Sequence, residues 1–306
     1  MTRFEKLSTK ADQLSGPGFE EFHRALAKYN GPRLDPGASS LSWRDELKEE
    51  ADAAFAESLY IEAVRSELAP LVADAPEDAD AFIDWYEALE SNGPGQNDPL
   101  FSWLEHDASA EQMKWFLLQE VAGEAGFEDL LALTQVKMST RPKLEMARNY
   151  WDEMGRGRES GMHGMLLDRL SHHLGLSPRP EEIVPVSLAL GNTMVALSRH
   201  RRYAYQSIGA LGVIEMTAPA RADCVNKGLK RLGIPSKKRL YFAVHAVLDV
   251  KHSEEWNREV LRPLVQEDPT RARPIAEGAV IRLWHGQRCF ERYRQELGCN
   301  ARRQAA

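Results

Sequence analysis

The apolar residues of this chain recur at three- and four-residue spacings in almost every patterned segment, and this periodicity constrains the fold most. Such spacing places apolar side chains on one face of an α-helix. No run of alternating β-branched residues indicates a β-strand. The sequence therefore predicts an all-α protein packed as a helical bundle. The predicted helices cover residues 43–69, 77–89, 109–133, 143–154, 160–174, 180–197, 201–216, 221–232, 237–266 and 274–297.

Local signals set the helix boundaries and the domain organisation. Ser109 and Gln112 form a capping box, and Gly175 and Gly298 follow helices that they are expected to stop. The first forty residues are rich in Gly, Pro and Ser, which predicts a loosely ordered lead-in with one short helix. The strongest linker is "ESNGPGQNDP", residues 90–99. We therefore predict a lead-in and helical extension over residues 1–96 and the main domain over residues 97–306.

The composition of the chain restricts the classes of binding partner and the cellular location that we expect. The chain has 306 residues and a formal net charge of -7, which argues against nucleic acid or an anionic membrane surface as a partner. No apolar stretch is long enough for a transmembrane helix, and the N-terminus lacks the apolar region of a signal peptide. Cys224, Cys289 and Cys299 are odd in number and share no metal-ligand spacing. We expect a cytoplasmic protein with free thiols.

The segment "HAVLDVKH" places His245, Asp249 and His252 at spacings of four and three on one face of a core-like helix. An unpaired carboxylate is costly there. The two histidines lie about 10 Å apart along the helix axis. That is too far for one ion, whereas two ions roughly 3.5–4 Å apart fit the spacing. Buried salt bridges are the alternative interpretation.

Two further segments offer ligand-type residues. Glu153 and His163 are ten residues apart, but Gly155 and Gly157 allow the chain to turn His163 back towards Glu153. A pair formed by Glu159 and His163 needs no such turn. Glu215 follows an apolar run before a Pro-containing break, so we expect it at a helix C-terminus, where a nearby cation would offset its unfavourable charge.

The helix that begins at Ser109 contributes one more carboxylate, because Glu120 and Glu124 interrupt its apolar stripe. One of the two is expected at the edge of that stripe, facing water. Imidazole and carboxylate donors without thiolate suit Fe, Mn or Zn. The number of candidate donors exceeds what a structural zinc site uses.

Taken together, these positions resemble one known family. Glu153 and His163, the isolated Glu215 and the His245-x3-Asp249-x2-His252 pattern are similar to those of the heme-oxygenase-like di-iron oxidases and oxygenases, also described as iron-containing redox enzymes. The segment "KLEMARNYWDEMGRG" resembles that family's second core helix. Glu215 matches the extra glutamate of the N-oxygenase branch. The resemblance implies a heme-oxygenase-like helical bundle with an N-terminal extension, and seven metal ligands: Glu120, Glu153, His163, Glu215, His245, Asp249 and His252.

The resemblance also implies a chemistry. Two Fe ions, cycling between Fe2+ and Fe3+, would react with O2 as co-substrate to give a peroxo di-iron(III) species that oxidises a small-molecule substrate. The closest branch indicates N-oxygenation of an amine or amino acid. The alternative within the family is oxidative C–C cleavage or desaturation of a fatty or amino acid. An Mn/Fe centre, an external electron donor and a homodimer are further expectations from this family.

Other functions explain fewer of these residues. A heme oxygenase proper would need a heme ligand such as His106, and a thiaminase-like relative would need a nucleophile such as Cys224. A non-catalytic helical binding protein with buried salt bridges is the alternative from another class. Three basic residues, Arg199, Arg201 and Arg202, are candidates either for a substrate carboxylate or for a solvated surface.

Overall fold

A computed structural model describes residues 2–37, 42–123 and 126–299 of the chain. These ranges contain no β-strand, so the all-α prediction is confirmed. The first seven helices are α1 (Arg3–Leu7), α2 (Gly16–Leu34), α3 (Trp43–Leu68), α4 (Ala79–Asn92), α5 (Pro99–His106), α6 (Ala110–Gly123) and α7 (Phe127–Thr134). The next seven are α8 (Thr140–Glu153), α9 (His163–Leu174), α10 (Pro185–Arg199), α11 (Ala204–Arg231), α12 (Leu240–Trp256), α13 (Arg262–Glu267) and α14 (Ala272–Leu297).

Helix α11 is the centre of the bundle and packs against α5, α10, α12 and α14. Its contact with α14 is close because glycine occupies both sides. A Cβ atom on Gly209 would lie 1.9 Å from the Ile275 carbonyl oxygen, and one on Gly278 would lie 1.8 Å from that of Gln206. Only glycine allows the two backbones to approach this closely. The arrangement holds α11, the helix that carries Glu215, at a fixed distance from α14.

The N-terminal helices pack onto the same core. Helix α2 lies against α10 and α3 lies against α14. Asn30 donates a hydrogen bond to Asn192 (2.8 Å), and Tyr60 lies 3.1 Å from His285. The buried hydrophobic core includes residues from both sides of residue 96. The domain boundary at that position stays a prediction.

Several predicted boundaries agree with the structure. Ser109 and Gln112 exchange both hydrogen bonds of a capping box, at 2.9 and 3.2 Å. Gly175 and Gly298 end α9 and α14 in the left-handed conformation, as expected for C-cap glycines. None of the helices in the described ranges combines the length and apolar character needed to span a bilayer. A cytoplasmic location stays a prediction.

Other boundaries were wrong. The lead-in contains α2, a helix of 19 residues rather than a short one. The helix predicted over residues 109–133 is two helices, with Gly126 at φ 71° before the second. A π-helical turn, Asn257–Leu261, follows α12 inside the helix predicted over residues 237–266.

The largest difference concerns Glu215. Helix α11 continues through Pro219 for 28 residues, although we expected a break there. Proline has no N–H to donate to the carbonyl four residues earlier, which is that of Glu215. Packing by α12 and α14 on α11 keeps the helix continuous in spite of this loss. Glu215 therefore lies inside a helix, and the helix-dipole argument for a nearby cation does not apply to it.

Candidate metal centre

The loop between α8 and α9 reverses the chain and brings Glu153 next to His163. Gly155 (φ 61°), Arg156 (φ 54°) and Gly157 (φ 76°) all take left-handed backbone conformations. A Cβ atom on Gly155 would lie 2.3 Å from the carbonyl carbon of Gly161, so the two arms of the loop touch at this glycine. As a result Glu153 Oε2 and His163 Nδ1 are 2.7 Å apart. The competing pair with Glu159 does not form.

Glu153, His163 and His245 make up the first group of converging donor atoms. The rings of His163 and His245 meet edge to face, with centroids 4.5 Å apart. The Nδ1–H of His245 donates to the carbonyl oxygen of Tyr241 (2.8 Å). That hydrogen bond fixes the tautomer and leaves Nε2 of His245 as the free donor atom.

Glu153, Glu215 and His252 make up the second group, so Glu153 belongs to both. His252 Nε2–H donates to Asp152 Oδ2 (3.2 Å), which turns Nδ1 towards Glu215 Oε2 at 3.5 Å. Asn149 Nδ2 donates to Glu215 Oε1 (2.6 Å) and fixes that carboxylate. His252 and Glu215 are thus each held by a neighbour outside the group, as is usual around metal ligands.

The histidines of the two groups have pKa values that are shifted in opposite directions. Burial lowers the pKa of His163 to about 4, and burial together with the charge of His163 lowers the pKa of His245 to about 4. Both are neutral near pH 7. Burial also opposes the charged form of His252, but Glu215 and Asp152 raise its pKa to about 9. Burial and the charge of Glu215 raise the pKa of Glu153 well above its ordinary value.

The donor set fits metal ions better than it fits a hydrogen-bonded network. Nδ1 of His163 and Nδ1 of His252 are buried and make no hydrogen bond to any residue that the structure describes, although carboxylate oxygens lie 2.7 and 3.5 Å away. Two ligands at right angles, each about 2.1 Å from an ion, are roughly 3 Å apart. These separations are close to that value. Buried polar atoms without partners are otherwise costly.

A cavity of about 130 Å³ extends from this cluster into the bundle. Glu153, Glu215, His245 and Asp249 line it on the cluster side, and Glu120, Arg221 and Arg282 line it as well. Most of the remaining wall is apolar: Phe101, Phe116, Leu117, Phe127, Leu190, Ile214, Val225, Phe242 and Phe290. A water molecule needs only about 10–15 Å³ of such space, so the cavity has room for a small organic molecule.

The sequence matches the profile of a family described as iron-containing redox enzymes over residues 114–287, more than half of the chain. The chain belongs to the family of iron-containing redox enzymes. The comparison with curated proteins finds no match. Among solved structures the chain is similar to a CADD-like protein of unknown function from Nostoc punctiforme. The identity is 20% and the TM-score 0.49, with 78% of this chain and 95% of that chain covered.

Membership of the iron-containing redox enzyme family confirms the resemblance found in the sequence and the expected heme-oxygenase-like all-α fold. It supports an oxidoreductase that uses iron. The two groups supply carboxylate and imidazole donors, which iron accepts.

The structure brings five of the seven predicted ligands into the two groups and leaves two outside them. Asp249 is buried and lines the cavity, but neither group includes it. Glu120 lines the cavity too, and the polar side chains that act on its carboxyl are Tyr293, Arg282 and Arg221. Burial raises the pKa of Glu120. The alternative ligand Glu124 lies outside the described residues.

Sequence reasoning missed two residues of the site in this iron-containing redox enzyme. Asn149 holds Glu215 and Asp152 holds His252. Asn149 lies one helical turn before Glu153, and this i, i+4 spacing was the available signal. Asp152 gave no signal, because an acidic residue beside a ligand is ordinary on an α-helix. It also pairs with Arg156 across one turn at 2.6 Å.

Proposed function

We propose that this protein is a non-heme di-iron enzyme that uses O2 to oxidise a small metabolite. One ion would be held by Glu153, His163 and His245, and the other by Glu153, Glu215 and His252. Asp249 and Glu120 remain predicted ligands that lie outside these groups in the structure. The function rests on the membership of the iron-containing redox enzyme family together with the geometry of the donors.

A single observation carries the proposal of two ions. Glu153 belongs to both groups, and each group contributes at least one imidazole of its own. His245 and His252, seven residues apart on α12, lie in different groups. The sequence pointed to Asp249 as the carboxylate close to both ions, whereas the geometry supports Glu153 in that role. A carboxylate that belongs to two imidazole-bearing groups suits a pair of closely spaced ions.

The side chains around the centre have defined tasks in this proposal. Asp152 and the Tyr241 carbonyl accept N–H protons from His252 and His245, so a ring nitrogen of each faces the site. Asn149 holds Glu215 in one orientation. Phe127, Ile214 and Phe242 line the cavity and limit the access of water. Bound iron would supply the redox chemistry with O2 that none of these side chains offers.

N-oxygenation of an amine or amino acid is the reaction we put first. It is supported by Glu215, the residue that matches the N-oxygenase branch, because this side chain lies in the second group with His252. O2 would be the co-substrate, and an external electron donor would be needed to supply the electrons that the substrate does not. The same ligands could alternatively bind one Mn ion and one Fe ion.

Oxidative C–C cleavage or desaturation of a fatty or amino acid is the second candidate. The observation that favours it is the apolar wall of the cavity, which suits a hydrocarbon chain. The alternative of another class, a non-catalytic binding protein with buried salt bridges, requires that the donors hold no metal.

The test is a metal count followed by an oxygen measurement. Protein expressed in iron-supplemented medium, and protein reloaded anaerobically with Fe(II) or with Mn(II) and Fe(II), is analysed by elemental mass spectrometry. We expect about two metal ions per chain and O2 uptake that increases with an amine, amino acid or fatty acid. Product masses then separate the reactions, because N-oxygenation adds oxygen, desaturation removes two hydrogens and C–C cleavage shortens the chain. Protein that binds no metal under any of these conditions would contradict the proposal.

A further inference from the structure

Two arginines that the metal groups do not use, Arg221 and Arg282, line the same cavity as those groups. Arg221 follows Glu215 by six residues on α11, which places it about 9 Å further along the helix axis. Its neighbours belong to a different wall from the donors. Arg221 donates to Gln96 Oε1 (2.9 Å) and stacks on Phe101 and Phe290. The donors lie instead on α8, α9, α11 and α12.

Neither guanidinium is neutralised by an ion pair within the described part of the chain. Asp98, a carboxylate whose charge acts on Arg221, is paired with Arg294. Glu120 lines the cavity together with both arginines, and their charges act on its carboxyl. The arginine end of the cavity therefore holds two guanidinium groups and one carboxyl group. An incoming monoanion would offset the excess of positive charge there.

The surroundings of Arg221 make the unmatched charge costly. Phe101 and Phe290 lie on its guanidinium at 5.6 and 4.9 Å, in place of water. Burial and the charge of Arg282 lower the pKa of Arg221 to about 10. A buried cation in an apolar wall is retained at the expense of stability unless a partner compensates it. Arginine pairs bind carboxylates well, because their planar donors match the two oxygens.

We propose that Arg221 and Arg282 bind the carboxylate of the substrate at the end of the cavity away from the metal-ligand groups. The inference rests on the proposed function, which makes the Glu153 end the place of oxidation. The substrate class is then a carboxylic acid with an apolar chain, which a fatty acid and an α-amino acid share. The oxidised atom is then one on the chain, several bonds from the carboxylate, and not an α-amino nitrogen.

This assignment replaces the arginines that the sequence suggested. Arg199 pairs with Glu50, Arg202 pairs with Glu62 (3.1 Å), and Arg201 donates to backbone carbonyls of residues 133, 134 and 136. Each already has a partner, and none lines the cavity. Arg202 is consequently a matched control for the test.

The test measures binding of octanoate, its neutral analogue octanamide and L-norleucine to the Fe(II)-loaded protein, anaerobically, by isothermal titration calorimetry. We expect octanoate or norleucine to bind at least about tenfold more tightly than octanamide, as a charge-assisted hydrogen bond provides. Arg221→Gln and Arg282→Gln should each weaken carboxylate binding about 10- to 100-fold and leave octanamide binding unchanged. Arg202→Gln should change none of the three affinities. Tighter binding of octanoate indicates a fatty acid, and tighter binding of norleucine an amino acid.

Three results would overturn the assignment: no preference for either carboxylate over octanamide, unchanged carboxylate binding in both glutamine variants, or an equal loss with Arg202→Gln. Circular dichroism checks the fold of each variant, and Arg282→Gln decides alone if Arg221→Gln does not fold. The titrations are repeated on metal-free protein with iron counted in the same samples. Arginine-dependent binding without metal supports the carboxylate site even where the iron count is zero. Binding that requires metal and ignores both arginines overturns it and leaves the di-iron proposal standing.

Discussion

His285 and His252 are both buried, yet they lie in opposite kinds of surroundings. The Nδ1–H of His285 donates to the Ile281 carbonyl (2.8 Å), and its Nε2 accepts from Tyr60 at 3.1 Å. Both nitrogens are satisfied by neutral groups. His252 has one nitrogen on a carboxylate and the other without a hydrogen bond, facing Glu215. The first arrangement is complete within the protein, whereas the second favours a positive charge, either a proton on the ring or a bound cation.

The comparison teaches that burial alone does not identify a metal ligand. Burial lowers the pKa of His285 to about 3, while carboxylates raise that of His252 to about 9. A hydroxyl and a carbonyl keep a histidine neutral and structural. Converging carboxylates prepare a site for positive charge. Replacing a metal ligand should change the metal content, whereas replacing a structural histidine should change the free energy of unfolding.

Replacing the shared carboxylate should have the largest effect on metal content. In Glu153→Ala both groups lose a donor, so we expect the metal count to fall from about two per chain to near zero. Elemental analysis after anaerobic Fe(II) loading measures this. His173→Ala, an exposed histidine on α9, is the control and should keep both ions. A full complement of metal in Glu153→Ala would rule out the shared-ligand arrangement.

Removing one imidazole should cost one ion. His252→Ala takes a donor from the second group only, and His245→Ala takes one from the first only. Each variant should therefore retain about one ion per chain. Mössbauer spectra of 57Fe-loaded protein distinguish a single site from a pair. If both variants kept two ions, the division of His245 and His252 between two groups would be wrong.

Replacing the structural histidine should leave the metal count unchanged and weaken folding. His285→Ala removes the partner of the Tyr60 hydroxyl and leaves a hole in the core. We expect the free energy of unfolding to fall by about 2–4 kcal/mol, measured by urea denaturation of metal-free protein. Loss of iron from the folded variant would show that the contact between His285 and Tyr60 is coupled to the metal-ligand groups.

The residue that holds His252 should affect metal affinity but not stoichiometry. Asp152→Asn removes the charge that orients and polarises the ring, and comparable changes weaken metal binding about 10- to 100-fold. Competition with a chelator measures the affinity. Arg156→Gln, which alters the other partner of Asp152, should have little effect. Equal affinities in Asp152→Asn and wild type would mean that the hydrogen bond does not tune the site.

Lowering the pH should reduce the free energy of unfolding through protonation of His285. Because the folded pKa of about 3 lies below the unfolded value of about 6.5, the unfolded chain binds more protons in this window. Stability contributed by the neutral ring is complete above pH 6.5 and falls as the pH drops, by up to about 1.4 kcal/mol per unit. The difference in unfolding free energy between wild type and His285→Gln should therefore shrink between pH 6.5 and 4. Parallel curves for the two proteins would contradict this assignment.

Much of the fold was predictable because helical periodicity is a local property. The capping box at Ser109 and the stop at Gly175 depend on neighbouring residues, and both predictions hold. The turn at Gly155 was predictable for the same reason, since glycine is the residue that tolerates its φ angle. Pro219 failed as a signal because packing on both sides of α11 outweighs the lost hydrogen bond.

The residues of the candidate site also differ in whether local sequence or tertiary packing determines their role. His245 and His252 are visible in the sequence because they share a helix face with an acidic residue. The helper Asp152 is not visible, because its role exists only once α12 packs against α8. Arg221 and Arg202 show that the sequence alone does not indicate which arginines have an acidic partner and which face a cavity. A run of arginines attracts attention, but the structure gives Arg202 an acidic partner and leaves Arg221 facing a cavity.

The reversed loop after α8 also bears on how the centre assembles. Glu153 and His163 are joined by a closure of ten residues, whereas Glu215 and His252 reach Glu153 across 62 and 99 residues of sequence. Closing a short loop costs less chain entropy than closing a long one. The Glu153–His163 pair is accordingly the low-contact-order part of the centre, and the docking of α11 and α12 adds contacts of much larger sequence separation. A folding intermediate with α8 and α9 formed would already present one carboxylate and one imidazole side by side.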